Sequence, residues 1–440
     1  MTEIDKTGMR WRSVLIGLLL FASLAEFLVR GPVRLLVGGM GWNDFLSPYI
    51  QAKAWAHADD PYTPQSLIKW WPADNRRPHF VDENASTGTL EMKRGMPSPY
   101  PISSLALLSP FSVLPWPFAL LLWEAISTAA IILAAFALLA VCGCRWYELR
   151  SQLFFAIVFA LAPLHTGFAT ANPAMLAVSL VIGAIWANYT GRETTAAALL
   201  AVAICLKPTV AGGLLLYYLL RRRWTVVVIT CAMVAAVTVV GASRLTLAGV
   251  HWIPSYVENG RRMFAAGSVD DFSRASRLRF NMINAQVFFA GIFSSDSTAN
   301  LLARMLGTVL LGFWIWLCFR RRTATGLLEV SAISILSLIA IYHRFYDAAL
   351  LILPLAWSLL LVKKRSASLA MLAATALFFV PGPTFLAGLA GSGHISQNVT
   401  SSWWWNVVVL PHEAWDLILG TILLLWFMWR DLPEKPVSAQ

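Results

Sequence analysis

The chain has 440 residues, 58% of them hydrophobic and only 13% charged, with a mean hydropathy of +0.64. Soluble domains carry roughly 25% charged residues, so this composition excludes a water-solvated globule, a disordered chain and a coiled coil. The 34 Lys and Arg exceed the 23 Asp and Glu to give a net charge of +11, which in a lipid-solvated chain reports on topology before ligands; no nucleic acid is expected as a partner.

In chain order, the first apolar run, 14–29, follows Lys6, Arg10 and Arg12 but leads to no small-residue cleavage site, so it reads as a retained first helix. Further runs able to cross a hydrocarbon core occupy 117–141, 152–169, 173–188, 225–241, 299–319, 327–342, 347–362, 367–380 and 414–429. Between 194 and 220 an apolar stretch is interrupted by Lys207-Pro208, where proline removes a backbone donor and lysine is costly in hydrocarbon; two short helices meeting at a polar point are expected. The fold class that follows is an all-α polytopic membrane protein with about 10–12 transmembrane helices, a single integral membrane domain over 1–440. Of the five cysteines, Cys205, Cys231 and Cys318 lie inside apolar runs, and Cys142 and Cys144 are too close to suggest a bridge.

Short cytoplasmic loops hold excess Lys and Arg. With a cytoplasmic N-terminus and a helical hairpin over 194–220, the clusters at 145–150, 192, 221–223, 320–322, 363–365 and 430–435 all fall on the cytoplasmic side. Both termini are then cytoplasmic in a multi-pass plasma-membrane protein. The same assignment puts a first loop with interfacial helices, 31–114, and an arginine-rich loop, 243–284, outside. Asn172, Lys207 and the segment 343–347 join them there.

Ionisable residues at or inside a membrane boundary are expensive, which makes Asp44, Lys207, His343, Arg344 and Asp347 functional candidates. Four of them also have a plain role: a helix cap for Asp44, a snorkelling side chain for Lys207, interfacial anchoring for His343 and Arg344. Their collection on one side favours a site. Arg277 and Arg279 belong to an arginine-rich loop suited to phosphate, or to lipid headgroups. Trp403 and Trp404, in a run of three indoles, are expected to contact lipid. Asp270-Asp271 reads as a solvated loop and no metal site is assigned. Gly-rich phosphate loops, His-Glu-x-x-His and Gly-x-Ser-x-Gly are absent from the sequence, and no cofactor is expected.

The order Trp42-Asn43-Asp44-Phe45, Asp60-Pro61-Tyr62, Ser98-Pro99-Tyr100-Pro101, Ala171-Asn172-Pro173, Leu206-Lys207-Pro208-Thr209 and Tyr342 to Asp347 resembles the glycosyltransferase-87 family over nearly the whole chain. These are C-type integral membrane enzymes that include polyprenyl-phosphate-mannose-dependent mannosyltransferases. The resemblance implies transfer of a sugar, mannose in the best-known case, from a polyprenyl-phosphate donor to the hydroxyl of a glycolipid or polysaccharide. Transfer would occur at the extracytoplasmic face, among membrane lipids and with inversion. Asp44 matches the family's first-loop acid, the general base. Lys207, Arg344, Arg277 and Arg279 are candidates for the donor phosphate. His343 could orient the acceptor, share the proton or help the phosphate. Asn172, Tyr346 and Asp347 would contact sugar hydroxyls or hold Arg344. A secondary transporter or lipid flippase, with Asp44, His343 and Asp347 as a proton relay, is the competing reading.

Overall fold

The computed structural model describes residues 3–37, 43–73, 98–276, 278–320, 325–380, 382–430 and 434. Among these the chain is helical, with two isolated bridges and no strand. The helices are α1 (Glu3–Leu28), α2 (Arg34–Val37), α3 (Leu46–Ala56), α4 (Pro64–Trp70), α5 (Ile102–Leu108), α6 (Trp116–Val141) and α7 (Leu149–Phe159). They continue with α8 (Ala162–Ala169), α9 (Ala174–Tyr189), α10 (Glu193–Leu206), α11 (Pro208–Leu220), α12 (Trp224–Leu247), α13 (Trp252–Met263) and α14 (Ala285–Ile292). The last are α15 (Asp296–Arg320), α16 (Leu327–Ala340), α17 (Ile352–Ala356), α18 (Arg365–Ala373), α19 (Pro383–Gly391), α20 (Gln397–Thr400) and α21 (His412–Arg430).

Among the described residues, four stretches are long and apolar enough to cross a bilayer alone: Trp11–Val37, Trp116–Val141, Trp224–Leu247 and Asp296–Arg320. The expected spans between them are shorter or broken. The run 152–169 is two helices, α7 and α8, bent by 52°. Pro163 supplies the reason: it lacks an N–H and its ring excludes the carbonyl four residues back, that of Phe159. That carbonyl instead accepts the Nε2–H of buried His165 at 2.7 Å, so the break leaves no orphan there. The run 347–362 begins in a 3₁₀ turn, Phe345–Leu351, passes through α17 and ends in a π turn, Trp357–Leu361. The run 367–380 divides into α18 and a 3₁₀ turn at Ala376–Phe379.

The stretch 194–220 does form two helices meeting at Lys207. Pro208 takes the first position of α11, where its missing N–H costs nothing, and Lys207 before it is driven to an extended conformation (φ −152°, ψ 86°). From Lys207, α11 runs about 20 Å by helical rise to Arg221, whose guanidinium pairs with buried Glu329 of α16 at 2.8 Å. Helix α16 returns from that pair to Ile341 and Tyr342. Lys207 and the segment 342–347 therefore share one end of the bundle, with the Arg221–Glu329 pair at the other.

The first loop folds against this same end. Phe45 stacks on Trp123 of α6 with ring centres 4.5 Å apart and planes within 8°, a pair worth roughly 0.5–1.5 kcal/mol beyond its buried area. Tyr49 donates to the Leu114 carbonyl at 2.8 Å and Gln51 donates to those of Pro61 and Ser98. These bonds seat α3 between the segment 98–101 and the membrane helices.

Candidate active site

Four chain breaks deliver the polar residues. Asn43 caps α3 by accepting the N–H groups of Phe45 and Leu46, both at 3.1 Å, which leaves Asp44 in the turn before the helix. The Asp44 N–H donates to the Thr170 carbonyl at 2.8 Å, tying that turn to the end of α8. There Ala171 has φ +52°, a left-handed conformation uncommon for a residue with a Cβ. Its strain is held by Trp123, whose indole N–H donates to the Ala171 carbonyl at 3.1 Å. The following Asn172 accepts the Ala174 N–H at 2.8 Å and begins α9. Lys207 stands at the α10–α11 break, and His343 to Asp347 lead from α16 into the 3₁₀ turn.

The side chains link into one chain of contacts. Asn172 Nδ2 donates to Asp44 Oδ2 at 2.8 Å, and Lys207 Nζ donates to Asn172 Oδ1 at 3.4 Å. The same ammonium pairs with Asp347 Oδ1 at 2.5 Å and sits over the Tyr346 ring, 4.6 Å from its centre. Asp347 Oδ2 receives His343 Nδ1 at 2.9 Å and the Arg344 backbone N–H at 3.1 Å. Asp347 is 1% exposed, and three donors, the Lys207 ammonium among them, hold its buried charge.

Asp44, Asn172, Lys207, Arg344 and Tyr346 face a cavity of about 370 Å³. Arg344 is held there by Asp270: its Nη2 lies 2.5 Å and its Nε 3.2 Å from Asp270 Oδ1, and the same oxygen accepts the Tyr342 hydroxyl at 2.6 Å. Tyr100 completes the wall. Burial first, and the Asp44 carboxylate second, push its phenol well above the ordinary value, so it remains a neutral hydroxyl donor at any physiological pH. The segment bearing it is braced by the Asp60-Pro61-Tyr62 motif. The Tyr62 hydroxyl donates to the Tyr100 carbonyl at 2.7 Å, and Asp60 accepts from Ser255 of α13 at 2.7 Å.

Several expectations change. His343 is fully buried behind Asp347, where it can orient that carboxylate and cannot touch a ligand without rearrangement. Asp347 holds Lys207 and the Arg344 backbone, while the Arg344 side chain belongs to Asp270. The Asp270-Asp271 pair is not a solvated loop: the two residues are 1% and 5% exposed, and Asp271 accepts from Gly267, Ser273 N–H and Ser273 Oγ. Arg279 is buried in its loop over the Phe280 ring at 4.4 Å and away from the cavity wall, and Arg277 lies outside the described residues. Trp403 and Trp404 are exposed indoles, 66% and 48% accessible, and apart from the cavity. Tyr342 and Asp270 were missed as site residues; an Asp-Asp pair in a loop full of arginine was the available signal for the latter. Among the described residues no group of three or more His, Cys, Asp or Glu could hold a metal ion.

A family model described as Glycosyltransferase family 87 matches residues 99–341, more than half of the chain. No curated protein and no solved structure matches the chain.

Proposed function

We propose, from the premise that the chain belongs to glycosyltransferase family 87, that this membrane glycosyltransferase takes its sugar from a polyprenyl-phosphate carrier. Family membership selects a transferase over the transporter or flippase that the same ionisable residues would suit. The sugar is mannose, and the acceptor is a hydroxyl of a glycolipid or polysaccharide. One observation carries the reading: an acid, Asp44, and two cations, Lys207 and Arg344, face a single cavity from three separate parts of the chain.

The chemistry follows from the charges. The acceptor oxygen attacks the anomeric carbon as the bond from that carbon to the phosphate oxygen breaks, with inversion. Asp44 receives the hydroxyl proton, and polyprenyl phosphate departs with the electron pair. Lys207 and Arg344 offset the charge growing on the phosphate. Pro208 and Thr209, which also line the cavity, open the N-terminus of α11 toward it, and a helix N-terminus favours an anion. Asn172, bonded to both Asp44 and Lys207, keeps base and cation in fixed relation. His343 acts through Asp347 as a positioning residue, and Tyr346 presents its ring beneath the Lys207 ammonium.

The donor's lipid tail enters sideways from the bilayer, with exposed indoles such as Trp403 and Trp404 in contact with lipid. The cavity opens on the extracytoplasmic side of the plasma membrane and both termini are cytoplasmic. Support comes from the arginine triplet at 221–223, which sits at the opposite end of α11 from Lys207. Incubation of the purified protein with polyprenyl-phosphate mannose and candidate acceptors, followed by mass and anomeric analysis, tests the reading. Inverted product is expected. Retention, or transfer only from a nucleotide sugar, would overturn it.

A further inference from the structure

Behind the wall of the reaction cavity lies a second cavity of about 410 Å³. Phe264, Asp270 and Tyr342 line both, so the cluster that holds Arg344 is a partition between two chambers. On the far side the wall is built of carboxamides. Asn284, in extended conformation just before α14, donates through Nδ2 to Gln286 Oε1 at 2.7 Å, and Gln286 Nε2 donates to Asn300 Oδ1 of α15 at 2.7 Å. Arg304 stands one turn beyond Asn300, and Phe272 adds a ring. Asn284 and Asp270 are each 1% exposed, and among the described residues neither Asn284 Oδ1 nor Asp270 Oδ2 has a hydrogen-bond partner.

A carboxamide both donates and accepts without carrying charge, which matches a hydroxyl doing the same. Three in a row, beside flat rings able to cover C–H faces, suit a neutral polyol: the lining charges of Asp270 and Arg304 offset one another and leave no net charge to select an anion. An apolar ligand would leave the two buried oxygens, Asn284 Oδ1 and Asp270 Oδ2, unsatisfied. We infer that this second cavity is a saccharide-binding subsite that holds the hydroxyl-rich part of the acceptor. The inference rests on the glycosyl-transfer reading and extends it: the acceptor's reacting hydroxyl meets the donor beside Asp44, while its remaining hydroxyl-rich part is held on the far side of the Asp270–Tyr342 wall.

Calorimetric titration of the full-length protein, in a detergent without a sugar headgroup, with mannobiose and maltose tests this. Saturable binding of at least one disaccharide is expected. Gln286→Ala and Asn300→Ala should each weaken it about ten-fold, since each removes hydrogen bonds from a site built to satisfy hydroxyls. Affinity for polyprenyl phosphate should stay unchanged in both variants. Asn300→Asp, which keeps the volume but removes the amide donors, replaces the alanine variant if that one fails to fold. Absence of saturable binding, or unchanged affinity in the Gln286 and Asn300 variants, overturns the subsite. If polyprenyl-phosphate sugars are turned over normally with those results, the transfer reading survives; if no such donor is used, that reading fails on its own account.

Discussion

Lys207 and Asp347, 140 residues apart in sequence, meet at 2.5 Å with side chains only 16% and 1% exposed, and their pairing brings two helix breaks together. Removing one partner of a buried pair leaves a charge without compensation, typically at a cost of about 3–5 kcal/mol. His343 and the Arg344 N–H still serve Asp347 in a Lys207→Met protein, so the loss should lie near the lower figure. The double variant Lys207→Met, Asp347→Asn should recover much of it, because no charge is stranded and the amide oxygen still accepts from His343 and the Arg344 N–H. Thermal unfolding of the single and double variants checks this coupling, and strictly additive losses would contradict it.

The Asp44–Asn172 bond makes a distinct kinetic prediction. A positioned general base contributes roughly 10²–10⁴-fold to rate. Asp44→Asn should therefore lower turnover by at least about 10²-fold with donor affinity retained, since the cations are untouched. Asn172→Ala should lower turnover less, because the carboxylate remains but is no longer held. Single-turnover transfer and direct measurement of donor binding separate the two effects; normal turnover in the Asp44→Asn protein would end its assignment as base.

Arg344 meets Asp270 through both Nε and Nη2, a geometry that a lysine cannot reproduce. Arg344→Lys should raise the donor KM about ten-fold, the consequence of losing a planar, two-pronged contact. Asp270→Asn should shift it in the same direction by a smaller factor, since Tyr342 still receives the guanidinium at 2.6 Å. An unchanged KM in the Arg344→Lys protein would remove that residue from the donor phosphate.

Much of this site was legible because proline and charge are conspicuous in apolar sequence. Lys207-Pro208 announces both a break and an ion, and Asn172-Pro173 announces a helix start. Asp44 followed from its match to the first-loop acid of the family that the chain resembles. What the sequence withheld depends on distant pairing. Nothing local says that Asp270 will be buried under Arg344, 74 residues later, or that His343 will lie behind Asp347 instead of beside it. Hydropathy also averages over a window, so it reports apolar runs at 152–169 and 347–362 without seeing that Pro163 bends one and that 3₁₀ and π turns divide the other.

Outside the membrane helices, Asp59 offers a pH-dependent contact. Its carboxyl is held below the ordinary value of 3.8, chiefly by the hydrogen bond from Lys69 at 2.6 Å, with Trp70 adding to this and burial opposing it. A lowered value in the fold means that the contact stabilises α4 fully at pH above the unfolded value. The contribution is lost as pH falls below 3.8 through the folded value. Asp59→Asn should remove that acid sensitivity at this position, read as protection of the 64–70 amides in hydrogen exchange at neutral and acid pH. Equal protection of both proteins at neutral pH would argue against the contact.

Helix packing gives the last test, at two glycines in opposite environments, one crowded and one open. A Cβ at Gly241 of α12 would lie 3.0 Å from the Ile102 carbonyl oxygen of α5, while the Gly241 carbonyl already accepts the Trp55 indole N–H at 2.8 Å. Helix α12 cannot retreat without losing that bond. Gly241→Val should thus destabilise the protein by about 1–3 kcal/mol through overpacking. It should also disturb the seating of α5 and the Tyr100 segment that precedes it. Gly212 of α11 has nothing within 4 Å of the corresponding Cβ position. Gly212→Ala should therefore be neutral or stabilising by up to about 1 kcal/mol, the helix preference of alanine over glycine. Thermal unfolding of both variants decides the matter: equal effects at the two positions would mean that α5 and α12 do not approach as closely as the Gly241–Ile102 contact requires.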